Sequence, residues 1–162
     1  MNIEEFREKV KKMAGERGIV WVTADLKYTE ESKETISFLL DLLVECEQCG
    51  KCCSGFWFKI VPLFIGEPEK LIRVSGKTPE EFSNIVVQAD LDGVHAVCIS
   101  QPCGFLNSEN KCSIYKDRPA VCKMFPITVT DKIRINVSCP AGFNAYVKMA
   151  SRGYFTLDSE NL

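Results

Sequence analysis

The sequence predicts an α+β fold: one small compact domain in which a cysteine-rich, loop-dominated core is flanked by helices and a few short strands. Three observations carry that prediction. Helical periodicity appears near both ends, short β-branched runs stand between, and the stretch from Cys103 to Pro126 is dense in cysteine, proline and charge without periodicity of either kind. With 162 residues, 46% hydrophobic and 26% charged, the chain has the composition of an ordinary globular domain, which excludes collagen-like, disordered and membrane-bundle classes. A chain of this size buries roughly 70% of its unfolded surface, enough for a core without covalent staples.

The elements follow in order. Ile3, Phe6, Val10 and Met13 recur at helical spacing among charges, so residues 2 to 14 read as an amphipathic helix ending near Gly15 or Gly18. The β-branched run Ile19 to Ala24 reads as a strand. Thr29 can cap a second helix whose Ile36, Leu39, Leu40 and Leu43 form an apolar stripe, read as core, and which delivers the chain to Cys46. Phe56 to Ile65 is strongly apolar and reads as a buried strand before Gly66, followed by a helix from about Pro68 to Val74. Thr78-Pro79-Glu80-Glu81 has a capping threonine, proline at the first helical position and a glutamate three after the cap, which together mark a capping-box start. Val94 to Ser100 and Lys132 to Val137 read as strands, with loop and short helical turns over Cys103 to Pro126 between them. A last helix over Ala141 to Arg152 turns Phe143, Tyr146, Val147 and Ala150 inward, and the tail after Phe155 reads as frayed. No repeat or linker splits the chain. Its expected organisation is an N-terminal helix and strand segment (1–45) packing on the core, a cysteine-cluster metal-binding region (46–142), and a C-terminal helix with tail (143–162).

Nine cysteines are the compositional anomaly. They fall short of the roughly 8–10% that marks a small disulfide scaffold, yet are too many for incidental packing residues. The first twelve residues lack the apolar stretch and cleavage site of a secretory signal, and the longest apolar run, Ile36 to Val44, is broken by Ser37 and Asp41, too short for a membrane helix. A cytoplasmic location is therefore expected, where thiols stay reduced and clustered cysteines bind metal or do redox work. The net charge of −2 and pI near 5.6 give no global field for nucleic acid or an anionic membrane, so neither is an expected partner; a protein or redox partner of unknown identity is.

The cysteines form two blocks. Cys46, Cys49, Cys52 and Cys53 make a C-x2-C-x2-C-C run, and two-residue spacing closes a tight loop with both sulfurs aimed at one metal. Gly50 supplies the positive φ such a loop needs. Its first three cysteines match the bacterial ferredoxin spacing, and Cys139-Pro140 follows suit. Cys103, Cys112, Cys122 and Cys139 form the second block, so the two together offer eight thiolates, enough for one or two centres. Adjacent Cys52 and Cys53 are expected to diverge and to serve different metals or different positions of a larger cluster. Cys98, in an apolar run, reads as a core cysteine. Lys51, Lys111, Arg118 and Lys123 lie beside the cysteines and can balance thiolate charge or stand as ordinary surface cations; of the aromatics Phe56, Trp57, Phe58, Phe105, Tyr115 and Phe125, most read as core.

All-sulfur sites suit zinc and iron–sulfur alike. The ferredoxin-like spacing points first to an iron–sulfur protein, one or two [4Fe–4S] clusters, with an electron-transfer or redox-related role. The competing reading is a zinc-stabilised module for protein interaction. Any Ser-His-Asp or Cys-His catalytic arrangement must use the sole histidine, His95, whose apolar, strand-like surroundings favour a packed or edge residue. No H-E-x-x-H, G-x-G-x-x-G or P-loop occurs, and the run departs from the C-x3-C-x2-C spacing of radical enzymes, since Phe56 stands where a third cysteine is needed.

Taken together, C-x2-C-x2-C-C, then Cys103-Gly104-Phe105-Leu106, Cys112-Ser113-Ile114-Tyr115, Arg118-Pro119 with Cys122 and Phe125-Pro126, and Cys139-Pro140 resemble the YkgJ-type cysteine-cluster family, described as zinc- or iron-chelating. The resemblance spans about Cys46 to Gly142. It implies that Cys46, Cys49, Cys52, Cys53, Cys103, Cys112, Cys122 and Cys139 are the metal- or cofactor-binding set, scaffolded by Tyr115 to Pro126. A similar cysteine domain occurs in flagellin lysine N-methylases, so the resemblance also admits an accessory or catalytic role in protein methylation, although this chain is much shorter than those enzymes.

Overall fold

The computed structural model describes residues 1–25, 46–129 and 132–152. These divide into two compact units, Met1–Glu47 with Met124–Leu162, and Gln48–Lys123. The helix expected after Thr29 and the tail after Phe155 lie outside the described residues.

In the first unit, α1 (Ile3–Arg17) starts at a reciprocal cap: Asn2 Oδ1 accepts from the Glu5 amide at 2.9 Å, and the Glu5 carboxylate accepts from the Asn2 amide at 3.0 Å. It ends at Gly18, whose amide donates to the Ala14 carbonyl at 2.8 Å. Strand β1 (Trp21–Asp25) pairs antiparallel with β6 (Lys132–Asn136), which also pairs with β5 (Ile127–Val129), so β6 is the middle strand. Ile133 and Ile135 alternate inward along β6 while Arg134 faces solvent. The last helix, α5 (Pro140–Ser151), closes the core, with Phe6 of α1 stacking on Phe143 at 5.8 Å and Tyr146 at 5.0 Å between ring centroids. The expected inward face is present, widened by buried Ala145 and Met149.

In the second unit, β2 (Ile60–Pro62) and β3 (Val86–Leu91) flank β4 (Val94–Ser100) in another antiparallel sheet. Helix α2 (Glu67–Ser75) buries Leu71, and α3 (Pro79–Ser83) buries Phe82 behind the expected Thr78–Glu81 capping box. A 3-10 turn (Tyr115–Asp117) and α4 (Ala120–Met124) are the short helical turns expected in the cysteine-dense stretch. Helices interspersed along the chain accompany two small, wholly antiparallel sheets, so the fold is α+β. Among the described residues no helix is long and apolar enough to cross a membrane.

Two departures have physical causes. The strand expected over Phe56 to Ile65 shrinks to Ile60–Pro62, because the chain before it is curled into turns and Phe56, Phe64 and Ile65 stand in solvent. Strand β3 was not expected. Its residues Val86-Val87-Gln88-Ala89-Asp90-Leu91 expose Val87, Gln88 and Asp90 and pattern poorly, but the turn after it is diagnostic. Asp92 and Gly93 adopt φ of 54° and 84°, and the Gly93 amide donates to Asp90 Oδ1 at 2.7 Å, giving a two-residue hairpin loop between Leu91 and Val94.

Candidate metal centre

The second unit gathers cysteines from both sequence blocks. The first block is shaped by Gly50, at φ 75°, whose carbonyl accepts the amides of Cys53 at 3.0 Å and Ser54 at 2.8 Å and so curls the run into a turn. A Cβ at Gly50 would also press on Asn110 Cβ at 3.2 Å, so the expected glycine requirement is met twice over, by conformation and by space. Because the run is a turn and not a strand, adjacent Cys52 and Cys53 do not diverge as expected: their sulfurs converge to 3.6 Å. That separation is close to the edge of a tetrahedron of sulfurs about 2.3 Å from a zinc ion, about 3.8 Å.

The second block is joined to the first through the backbone. The Cys103 amide donates to the Cys53 carbonyl at 2.7 Å. From Cys103 the chain doubles back. Leu106 bridges Cys112, the Ser113 amide and hydroxyl both donate to the Phe105 carbonyl, and the Asn107 side chain accepts the amides of Glu109 and Lys111. Phe105 and Ile114 bury at 2% and 8% exposure and anchor this loop in the core, with Cys103, Cys112 and Cys122 packed against the same cluster.

The four thiols of Cys53, Cys103, Cys112 and Cys122 bear on one another electrostatically. Burial first, then the neighbouring thiols of Cys53 and Cys112, pushes Cys103 up to about 11. Burial first, then Cys53, Cys103 and Cys112, pushes Cys122 up to about 12. Cys53 goes the other way, down to about 7, because the Cys52 thiol donates to it and the Arg118 guanidinium lies nearby, against the opposing effect of burial. Arg118 is held for that role. Its Nε donates to the Tyr115 carbonyl at 2.9 Å and its guanidinium lies 3.9 Å from the centre of the Tyr115 ring. Of the other expected cations, Lys51 sits over Trp57 at 5.9 Å, Lys111 pairs with Glu109 at 3.2 Å, and Lys123 is exposed. Among the aromatics Phe105 is core, whereas Phe56 is exposed.

Cys49 is exposed on the loop. Cys46 and Cys139 belong to the first unit, where Cys139 is buried at the start of α5, its carbonyl accepting the Phe143 amide at 2.8 Å. Cys98 is wholly buried in β4 and does not act on Cys53, Cys103 or Cys122, as expected of a core cysteine; burial raises its pKa. All nine cysteines are described and none forms a disulfide. His95 is not packed: its side chain is 92% exposed beside Asp90 at 3.8 Å, a surface pair.

Among the described residues no three Cys, His, Asp or Glu side chains stand at the separation of a closed metal shell. The rotamers shown therefore hold a gathered thiol set rather than a finished cage. The donors themselves fit a soft or borderline metal. They are sulfur only, they are partly buried, and burial followed by the neighbouring thiols holds two of them in the neutral form. Sequence reasoning missed one residue at this site, Glu67, which nothing in its local pattern marks. Its carboxylate accepts from the Phe64 amide and from the Ala120 amide at the head of the Cys122 helix.

A family model described as "CxxCxxCC: Putative zinc- or iron-chelating domain" matches residues 45–140, more than half of the chain. No curated protein and no solved structure matches it.

Proposed function

The chain belongs to the CxxCxxCC family of zinc- or iron-chelating cysteine domains, and from that membership we propose that it holds a metal centre on Cys53, Cys103, Cys112 and Cys122, with an iron–sulfur cluster as occupant and a redox role. One observation carries the centre: the Cys103 amide on the Cys53 carbonyl at 2.7 Å joins the two sequence blocks, and Cys103, Cys112 and Cys122 pack against one buried cluster, so four thiols gather in one region whose combined thiolate charge a bound cation would offset. Cys49 and Cys52, on the same run as Cys53 and at the two-residue spacing of ferredoxin ligands, can supply further thiolates to that centre, and this spacing favours iron–sulfur as the occupant. Such a cluster supplies one-electron exchange when bound. The chain's own contribution is to hold the sulfurs, exclude water with Phe105 and Ile114, and offset negative charge with Arg118.

A specific observation favours a second reading, a zinc-stabilised module. In a cubane each cysteine takes its own iron, so two ligating sulfurs are not neighbours, whereas the 3.6 Å pair of Cys52 and Cys53 suits chelation of a single ion. Anaerobic purification with visible absorption, metal analysis and sulfide analysis separates the two. Iron and acid-labile sulfide in equal amounts with broad visible absorption support the cluster. A colourless protein carrying zinc and no sulfide overturns it in favour of the module, and a protein that takes up neither metal overturns both.

A further inference from the structure

Glu67 joins two segments that are 53 positions apart. Its Oε2 accepts from the Phe64 amide at 2.9 Å, and its Oε1 accepts from the Ala120 amide at 2.7 Å. The Phe64 contact ties the β2–α2 loop to the first residue of α2, and α2 is seated in the core by Leu71, 1% exposed. The Ala120 contact caps the first residue of α4, two positions before Cys122. Helix α4 has only five residues and few bonds of its own, among them Lys123 amide to Pro119 carbonyl at 3.0 Å, so its placement needs an outside anchor. Lys70, on the same helix as Glu67, lies 3.8 Å from Asp117 in the turn that leads to α4.

We propose that Glu67 is a positioning residue of the metal centre: its carboxylate clamps the Cys122 helix to α2 and so sets where the Cys122 sulfur stands relative to Cys53, Cys103 and Cys112. This rests on the reading of those thiols as metal ligands. A carboxylate is required because both amides need an acceptor. A glutamine keeps one acceptor and turns a donor toward the other amide, so Glu67→Gln loses half of the clamp and Glu67→Ala all of it.

The test compares Glu67→Ala, Glu67→Gln and Thr78→Ala, the last removing a helix cap made within its own turn in the same unit. Two quantities are read in full-length protein: cobalt(II) affinity from thiolate-to-metal charge-transfer absorption, and the alkylation rate of Cys122 in metal-free protein by mass spectrometry. The clamp predicts about a tenfold loss of cobalt affinity in Glu67→Ala, a smaller loss in Glu67→Gln, and faster Cys122 alkylation in the same order, with Thr78→Ala matching the fall in melting temperature but neither of these effects. Equal affinity loss in Glu67→Ala and Thr78→Ala, or unchanged Cys122 alkylation in Glu67→Ala, overturns the proposal. Wild-type protein that binds no cobalt overturns the metal reading instead, and the alkylation contrast then decides the clamp by itself.

Discussion

At the scale of single residues, the thiols of one small region have been made chemically unequal. Cys53 is drawn down to about 7 by the Cys52 thiol and Arg118, while burial and neighbouring thiols push Cys103 and Cys122 up to about 11 and about 12. In metal-free protein, iodoacetamide should therefore modify Cys53 at neutral pH and leave Cys103 and Cys122 untouched below about pH 10, as peptide mapping across pH would show. A thiol that ionises near 9 in the unfolded chain and near 11 or 12 in the fold contributes stability below pH 9 that is lost as pH rises toward 11 or 12. Urea denaturation of the metal-free protein should show that decline above pH 9, and flat stability across that window would mean the two thiols are solvated. Cys122→Ser should lower metal affinity roughly tenfold or more, because serine keeps the volume and loses the soft donor, whereas Cys98→Ala should leave metal content intact. Metal lost from the Cys98 variant would place that buried thiol among the ligands.

At the scale of elements, short local devices hold the frame around the thiols. The β3–β4 hairpin turns on Asp92 and Gly93, both at positive φ, so Gly93→Ala should cost about 1 kcal/mol in chemical denaturation without altering metal content. Gly142, in the first turn of α5, leaves no room: a Cβ there would fall on the Asn136 carbonyl oxygen and press on Pro126. Gly142→Ala should therefore destabilise by about 3 kcal/mol, since the atom in the way is backbone and cannot swing aside. A loss below about 1 kcal/mol would show that the chain entering α5 yields more easily than close packing allows. Capping explains why α1 and α3 begin where they do; the same chemistry, supplied by Glu67 from another element, is what places α4.

At the scale of the whole molecule, the two units rest on different kinds of support. The first has an aromatic and aliphatic core of Phe6, Val22, Ile135, Tyr146 and Met149, each essentially inaccessible to solvent. In the second, Leu71, Ile99 and Phe105 share their cluster with Cys103, Cys112 and Cys122, so part of its interior is made of potential ligands. Metal removal should thus raise amide hydrogen exchange over residues 103 to 123 while α1, β6 and α5 stay protected, because ligation free energy is folding free energy where the ligands are core. Uniform deprotection of both units on chelation would contradict that division.

Much of this was legible in the sequence because the signals are local. The helical period of Phe6 and Val10, the capping box at Thr78 and the strand from Val94 to Ser100 depend on residues a few positions apart, and C-x2-C-x2-C-C with the later cysteines identifies the family by spacing alone. Phe56 to Ile65 misled because apolar character does not say which side chains find a partner; Phe64 and Ile65 find none in the core. The Asp92-Gly93 turn was readable and points to β3 more strongly than the strand's own residues do. The sequence by itself determined the chemistry of the donors and the fold class. Tertiary structure alone decided which thiols meet: the Cys103 amide on the Cys53 carbonyl, Arg118 beside Cys53, and Glu67 on the Cys122 helix are contacts between segments dozens of residues apart, and only the path of the folded chain, not the spacing of residues along it, brings such groups within a hydrogen bond of one another.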